Sequence, residues 1–125
     1  MKKAFTLLEM LIVLGIIATI LSALAVSFST TQKKSRDAKR KGDIKALQSG
    51  LEQYYVTCDY SYPVDVSDTL GTSLACGASP AIISIIPVDP KGIAYTYTSD
   101  GTDFTLCSNS IESESITGYC VQNQQ

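Results

Sequence analysis

An acidic side chain, Glu9, lies near the start of a long apolar segment, and no other charged residue follows it until Lys33. A carboxylate in a membrane-spanning segment is costly in free energy and usually has a partner. The chemistry that we expect of Glu9 is therefore ion pairing with a nearby cation. The alternative is that Glu9 lies in the headgroup region of a membrane, near the start of a helix, and is simply solvated.

Cysteine is the second residue type with distinctive chemistry, and the four are Cys58, Cys76, Cys107 and Cys120. An even number in a small exported domain predicts two disulfides. Of the three possible pairings we favour Cys58–Cys76 with Cys107–Cys120. Each closes a local loop of fewer than about 20 residues, worth on the order of 3 kcal/mol. A zinc site is a competing interpretation, but Cys-x-x-Cys spacing is missing, and buried free thiols are a better alternative.

The residue types needed for several other chemistries are missing. The chain has no His and no Trp, which excludes imidazole catalysis and His-ligated metals. We find no nucleophile elbow and no Gly-rich phosphate loop after a strand, so we predict that the protein is not an enzyme and needs no cofactor. The turn from Asp100 to Asp103 offers two carboxylates, whereas Ca²⁺ prefers six to eight oxygens. We therefore predict no metal site.

The segment that holds Glu9 is long enough to cross a membrane. About 24 residues rising about 1.5 Å each give about 36 Å, against a hydrocarbon core of about 30 Å. A short basic leader, residues 1–4, precedes it. A secretory signal peptide has a shorter apolar region, of about 7–15 residues, and Ala23-Leu24-Ala25 is a weak cleavage site. A plain anchor fits the length but leaves Glu9 unexplained.

Residues 33–56 predict an amphipathic continuation of the same helix. An apolar stripe recurs at spacings of three and four: Ile44, Leu47, Leu51 and Tyr54 or Tyr55. Seven Lys or Arg lie between positions 33 and 45. By the positive-inside rule they would hold the following residues in the cytoplasm. We do not adopt that orientation, because the cysteines and the leader both indicate an exported head.

The basic run at 33–41 has two interpretations. It could contact nucleic acid, but basic runs more often form a solvated helix face or pair with acidic neighbours. After position 46 a single cation, Lys91, stands against nine carboxylates, so the head would repel nucleic acid. We expect the acidic heads of adjacent copies to be the counterpart of this run, and we expect no nucleic-acid partner.

Residues 57–125 predict a small head, with loops over 57–92 and a sheet over 93–122. Ser, Thr, Asp, Gly and Pro dominate the loop region. Four isoleucines interrupt it and are expected to be buried: Ile82, Ile83, Ile85 and Ile86. Residues 93–98 and 104–107 flank an Asp-Gly turn, which predicts a β-hairpin. A third strand near 119–121 completes a small antiparallel sheet.

The N-terminal motif resembles that of a known family. Lys2-Lys3-Ala4-Phe5-Thr6-Leu7-Leu8-Glu9-Met10-Leu11-Ile12-Val13 is similar to the leader and first helix of type IV pilins and pseudopilins. The resemblance implies that a prepilin peptidase cuts between Ala4 and Phe5 and methylates the new amine of Phe5. The family usually has Gly before the cut, where this chain has Ala4. In layout, Pro-Val-Asp-Pro-Lys-Gly at 87–92 resembles the Pro-Asp-Pro-x-Gly segment that precedes the sheet in pseudopilins. The Cys107–Cys120 loop resembles the disulfide-bounded C-terminal loop of type IV pilins.

The family resemblance carries expectations about fold and function. It implies an α+β protein with one long N-terminal helix, its first half (5–32) transmembrane or in a filament core, packed on a head of about three strands. Glu9 would meet the Phe5 amine of a neighbouring copy and set the register between them.

The expected function is a structural subunit of a type IV pilus-type filament, a homo-oligomer. Its partners would be the peptidase, an inner-membrane assembly platform and minor pilins. It would begin as a single-pass membrane precursor and end in an extracellular or cell-envelope filament. Alternatives are a pseudopilin of type II secretion, a minor pilin for DNA uptake, or a monomeric membrane-anchored binding module.

Overall fold

One long helix and a small sheet make up the computed structural model, which describes residues 5–64, 70–77, 79–114 and 117–124, without the side chains of 25–27. Helix α1 covers Leu7–Thr57 and is followed by strands β1 (Thr96–Ser99), β2 (Phe104–Cys107) and β3 (Cys120–Gln122). The strands are antiparallel in the order β1-β2-β3. The predicted α+β fold, with one long helix and three strands, is confirmed.

Helix α1 has a cap at each end. Thr6 is extended (φ −82°, ψ 150°), and its hydroxyl oxygen accepts the backbone N–H of Glu9 at 3.2 Å. This bond satisfies one of the backbone donors that a helix leaves free at its first turn. At the other end the N–H of Cys58 donates to the carbonyl of Tyr54 at 2.8 Å. The backbone then turns sharply, with φ at 55° for both Asp59 and Tyr60.

The two halves of α1 have opposite environments. The N-terminal half is apolar enough to cross a membrane by length and composition, and its most apolar window is fully exposed in the isolated chain. In the C-terminal half the predicted stripe is buried, because Ile44, Leu47 and Leu51 have no exposed surface. The head's core residues pack on that stripe: Tyr62, Leu74, Tyr95, Tyr97, Phe104 and Leu106.

Buried and more exposed side chains alternate along the two strands of the hairpin. Tyr97 faces Leu106 and Ser99 faces Phe104 in register. Tyr97, Phe104 and Leu106 are buried, which places one face of the hairpin on α1. The predicted hairpin and third strand are present, although β1 begins at Thr96 and residues 93–95 precede it.

One expectation about the isoleucines is wrong. Ile82, Ile83 and Ile86 are half-buried, but Ile85 is 81% exposed. Ile83 bridges to Leu74 and lies over Gly50, where an added Cβ would come within 2.3 Å of its Cδ1. The backbone bends at Ser84 and Ile85, and this bend leaves the Ile85 side chain on the outer side.

Gly118 is the backbone position in the head with the least room for a side chain among the described glycines. Its φ is +84°, and a Cβ would lie 2.3 Å from the carbonyl oxygen of Ser108. We expect Gly118→Ala to cost about 2–3 kcal/mol of unfolding free energy, from left-handed strain and the clash. Urea unfolding of the full chain in detergent, followed by near-ultraviolet circular dichroism, measures it.

Gly71→Ala is the matched control for Gly118→Ala. Gly71 also has a positive φ of +73°, but nothing lies within 4 Å of its Cβ position. This variant should lose about 1 kcal/mol from backbone strain alone. Equal losses in the two variants would contradict the proposed clash with Ser108.

Candidate functional site

The exposed apolar surface of α1 is the largest feature of the molecule that calls for a partner. Among the described side chains, the large apolar ones from Phe5 to Phe28 are about half or more exposed, and Leu7 reaches 80%. Full burial of one such side chain is worth about 1.5–3 kcal/mol. A soluble monomer would leave that free energy unrealised over about six turns of helix. This surface therefore fits a membrane interior or the packed helices of other copies.

Glu9 lies in the first turn of α1 and is exposed. Its backbone N–H is held by the Thr6 hydroxyl, so Thr6-Leu7-Leu8-Glu9 has the Ser/Thr-x-x-Glu pattern of a capping box. That local signal could have been found in the sequence. The positive end of the helix favours a carboxylate there. Phe5 is 73% exposed, and Ala4 lies outside the described residues.

A buried ion cluster, absent from the sequence predictions, joins α1 to the head. Arg40 has no exposed surface. Its guanidinium donates to Asp37 at 2.6 Å, to Glu112 at 2.7 Å, and to both carboxylate oxygens of Asp89. Buried charges are tolerated when they are paired and hydrogen-bonded, as here. Arg40 thereby fixes two head loops, at 89 and 112, on one turn of the helix.

The basic run of α1 is satisfied differently from the prediction. Arg36 donates two bonds to Glu112, at 3.1 and 2.6 Å, and Lys41 pairs with Glu114 at 3.2 Å. Much of this run therefore pairs with carboxylates of the same chain. The prediction assigned it to the heads of adjacent copies, because spacing along the sequence does not reveal that residues 72–76 positions apart meet.

Asp37 organises the loop that carries Glu112. Its carboxylate accepts the backbone N–H of Glu112 at 3.0 Å and that of Ser113 at 2.7 Å. Burial by itself would raise the pKa of Asp37, but these bonds and Arg40 lower it to about 2. The pKa of Asp89 is lowered chiefly by its bond to Arg40, and that of Glu112 by bonds to Arg36 and Arg40. The pKa values of all three carboxyl groups are lowered, so the cluster stabilises each of them in its ionised form.

These lowered pKa values predict acid lability. A carboxylate whose folded pKa lies below its unfolded value stabilises the fold above the unfolded pKa, and that contribution is lost as pH falls through the folded pKa. For Asp37 the two values are 3.8 and about 2. We expect the free energy of unfolding to fall from about pH 4 to about pH 2. Thermal unfolding at several pH values in an acid-stable detergent measures this pH dependence. The variant Asp37→Asn should show a smaller change in stability between about pH 4 and about pH 2. An identical profile in that variant would contradict this role.

The cysteines lie in two pairs, Cys58 with Cys76 and Cys107 with Cys120. The first pair joins the end of α1 to the loop region. The second joins β2 to β3 at residues that also face each other in the sheet register. Both links lie in the head and leave the apolar half of α1 unaffected.

Removing the second disulfide should destabilise the head. The double variant Cys107→Ser with Cys120→Ser opens a loop with a sequence separation of 13. We expect a loss on the order of 3 kcal/mol, measured by urea unfolding of the full chain in detergent. The oxidised and reduced wild type are the controls, since reduction removes both disulfides and should cost more than the double variant. A midpoint equal to that of the oxidised wild type would contradict this.

The turn considered for calcium is held by its own hydrogen bonds. Asp100 accepts the backbone N–H groups of Thr102 at 2.9 Å and Asp103 at 2.8 Å, and Asp103 accepts a bond from Asn123 at 2.7 Å. Within the described ranges, no three His, Cys, Asp or Glu residues form a group that could hold a metal ion. The carboxylates of this turn therefore stabilise the β1–β2 hairpin and its contact with Asn123.

The comparison with protein families matches the N-terminus. Residues 1–25 match the model of the prokaryotic N-terminal methylation motif. The match supports a type IV pilin-like protein with a class III signal peptide, and it implies prepilin peptidase processing and filament assembly in general. The signal peptide and the exposed apolar helix fit a membrane-anchored precursor. No curated protein matches the chain.

Proposed function

We propose that this chain is a structural subunit that polymerises into a type IV pilus-type filament, with no catalytic role. The observation that carries the proposal is the methylation motif at 1–25 on a helix whose apolar half is left exposed by its own head. In the precursor this half lies in the membrane. In the filament the same surface is buried by the helices of other copies. Lipid tails are as apolar as these side chains, so each added copy gains stability from van der Waals packing between helices rather than from leaving the lipid.

Processing supplies the partner that Glu9 needs. Cleavage between Ala4 and Phe5 exposes a cationic, then N-methylated, amine at Phe5. Four residues separate it from Glu9, which is about 6 Å of helix. Parallel copies offset by about that distance bring the carboxylate of one beside the amine of the next. Either charge alone is penalised in a low-dielectric bundle, and pairing removes the penalty. Glu9 and Phe5 therefore set the register.

The placement of the basic run bears on the alternative of DNA uptake. Arg36, Arg40 and Lys41 are held by carboxylates of the same head. A DNA-binding face would need these cations directed towards phosphates. We therefore favour a filament-building role over a DNA-binding one. Pseudopilin and pilin share the processing and packing steps proposed above, and both use an inner-membrane assembly platform.

Electron microscopy of sheared surface material, combined with N-terminal sequencing, tests the proposal. We expect filaments composed of a chain that begins at N-methylated Phe5. A full-length, uncut monomer confined to the membrane would contradict it and would favour a membrane-anchored binding module.

A further inference from the structure

The head has two ends that differ in charge, and contacts with α1 establish their positions. Glu112 meets Arg36 and Arg40, so the segment around it lies at the end of the head nearest the membrane half. Glu52 meets Tyr62 and the backbone of Gln124, which lie near the end of α1. From Lys33 to Thr57 the helix rises about 36 Å. We call these ends basal and apical.

The apical surface consists of acidic and apolar side chains on two adjoining turns: Asp59, Tyr60, Val64, Asp100 and Asp103. All five are exposed, with Tyr60 at 71% and Val64 at 64%. The turns are joined through Gly101, whose carbonyl accepts the N–H of Tyr62 at 2.9 Å. Neither turn carries a Lys or Arg, and Lys91 pairs with Glu112 at the other end of the head, so this surface is negative.

The backbone of the apical surface holds Tyr60 outward at a cost. Asp59 and Tyr60 both have φ at 55°, a region that Asp tolerates and that is unfavourable for Tyr. The Tyr60 ring lies edge-on to Tyr55, with centroids 5.6 Å apart. The surface therefore presents a supported aromatic side chain beside carboxylates, which suits insertion into a groove.

The basal end carries such a groove. Its lining residues come from α1, the turn after β2 and the 87–92 segment, and include Lys33, Lys91, Asn109, Ile111, Glu112 and Thr117, around about 520 Å³. Lys33 and Lys91 are exposed at its rim. Glu112 already receives bonds from Arg36 and Arg40 and lies 3.4 Å from Lys91. The cations around the groove therefore outnumber Glu112, and the Ile111 side chain in the lining is buried.

We propose that the apical surface of one copy docks into the basal groove of a second copy, head to tail. The negative surface, with its exposed Tyr60 side chain, complements the positive groove in charge. Because the two patches are different, the contact is heterologous and builds an open chain of copies. This inference rests on the proposed filament function. The head-to-tail contact links copies about 36 Å apart along the filament axis. The Glu9–Phe5 pair links copies that are separated by a shorter distance along that axis. Both contacts require parallel copies.

Zero-length carbodiimide cross-linking of sheared wild-type filaments tests the contact. Within one chain Lys33 lies about 36 Å along the helix from the end of α1. Lys91, which pairs with Glu112 beside Arg36 and Arg40, lies about 25–32 Å from that end. An amide between either lysine and an apical Asp must therefore join two copies. We expect mass spectrometry to find peptides linking Lys33 or Lys91 to Asp59, Asp100 or Asp103. Filaments whose cross-links never include these pairs would overturn this contact alone. Absence of wild-type filaments would contradict the proposed function and this contact with it.

Charge exchange provides the second arm. Lys33→Glu should reduce the yield of sheared filaments, and Val64→Lys should do the same from the apical side. Combining them should restore the yield, because the two new charges attract each other. Lys45→Glu is the matched control, since Lys45 is an exposed lysine of α1 away from the groove lining, and it should leave the yield unchanged.

Two results of the charge exchange would overturn the contact. One is a failure of the double variant to recover. The other is a Lys33→Glu chain that assembles with the yield of the wild type, since the contact requires a positive charge at the rim of the groove.

Discussion

Replacing Glu9 with Gln is expected to abolish filament assembly while leaving a folded, membrane-held subunit. The change removes the charge from the exposed first turn of α1 but keeps the Glu9 backbone bond to the Thr6 hydroxyl. At a separation of about 4 Å and an effective dielectric constant of about 20, two unit charges attract by about 4 kcal/mol. Loss of that attraction lowers the association constant of each contact by on the order of a thousandfold.

The yield of sheared filaments measures the effect of Glu9→Gln, and N-terminal sequencing of the membrane fraction separates assembly from processing. A chain that still begins at Phe5 but does not polymerise is the expected outcome. Ser22→Ala is the matched control, because Ser22 is a polar residue of the same helix whose hydroxyl donates to the Ala18 carbonyl at 2.8 Å. It should assemble normally. Normal filaments from Glu9→Gln would refute the register role.

Replacing Arg40 of α1 with Leu should cause a large loss of stability, because this side chain holds the head on the helix. Asp37, Asp89 and Glu112 would be left around the position of the lost guanidinium without their shared partner. Removing one partner of a buried ion pair costs about 3–5 kcal/mol, because the remaining charge is uncompensated. That is a large fraction of the 5–15 kcal/mol that stabilises a typical domain, roughly speaking. The head should loosen from α1, and filament yield should fall with it.

Urea unfolding of the full chain in detergent, followed by the near-ultraviolet dichroism of the seven tyrosines, measures the Arg40→Leu effect. Lys41→Ala is the matched control from the same helix turn. Its pair with Glu114 is 40% and 50% exposed, so about 1 kcal/mol or less should be lost. Similar unfolding midpoints for the two variants would show that the buried cluster does not hold the head.

Much of the fold was predictable from the sequence because its signals are local. The stripe of Ile44, Leu47 and Leu51 repeats at helical spacing, and all three are buried on the head. The hairpin followed from Asp100-Gly101 between β-forming residues. The first expected strand was too long, because residues 93–95 lie before the point where pairing with β2 begins.

The parts that sequence reasoning missed depend on contacts between distant positions. Arg40 meets Asp89 and Glu112, 49 and 72 positions away, and neither separation leaves a periodic signal. The basic run therefore resembled a surface that awaits a partner molecule. Ile85 was expected inside because composition alone does not say which side of a loop faces the core.

The processing motif, the apolar helix with Glu9 near its start, and the α+β plan could all be predicted from local sequence. These depend on residue type and near-neighbour spacing, which govern helix formation and membrane affinity. The burial of Arg40 among three carboxylates, the acidic apical surface and the basic groove became visible in the folded chain. Those features arise when the chain folds back on α1, since burial and proximity bring together charges that lie far apart along the sequence.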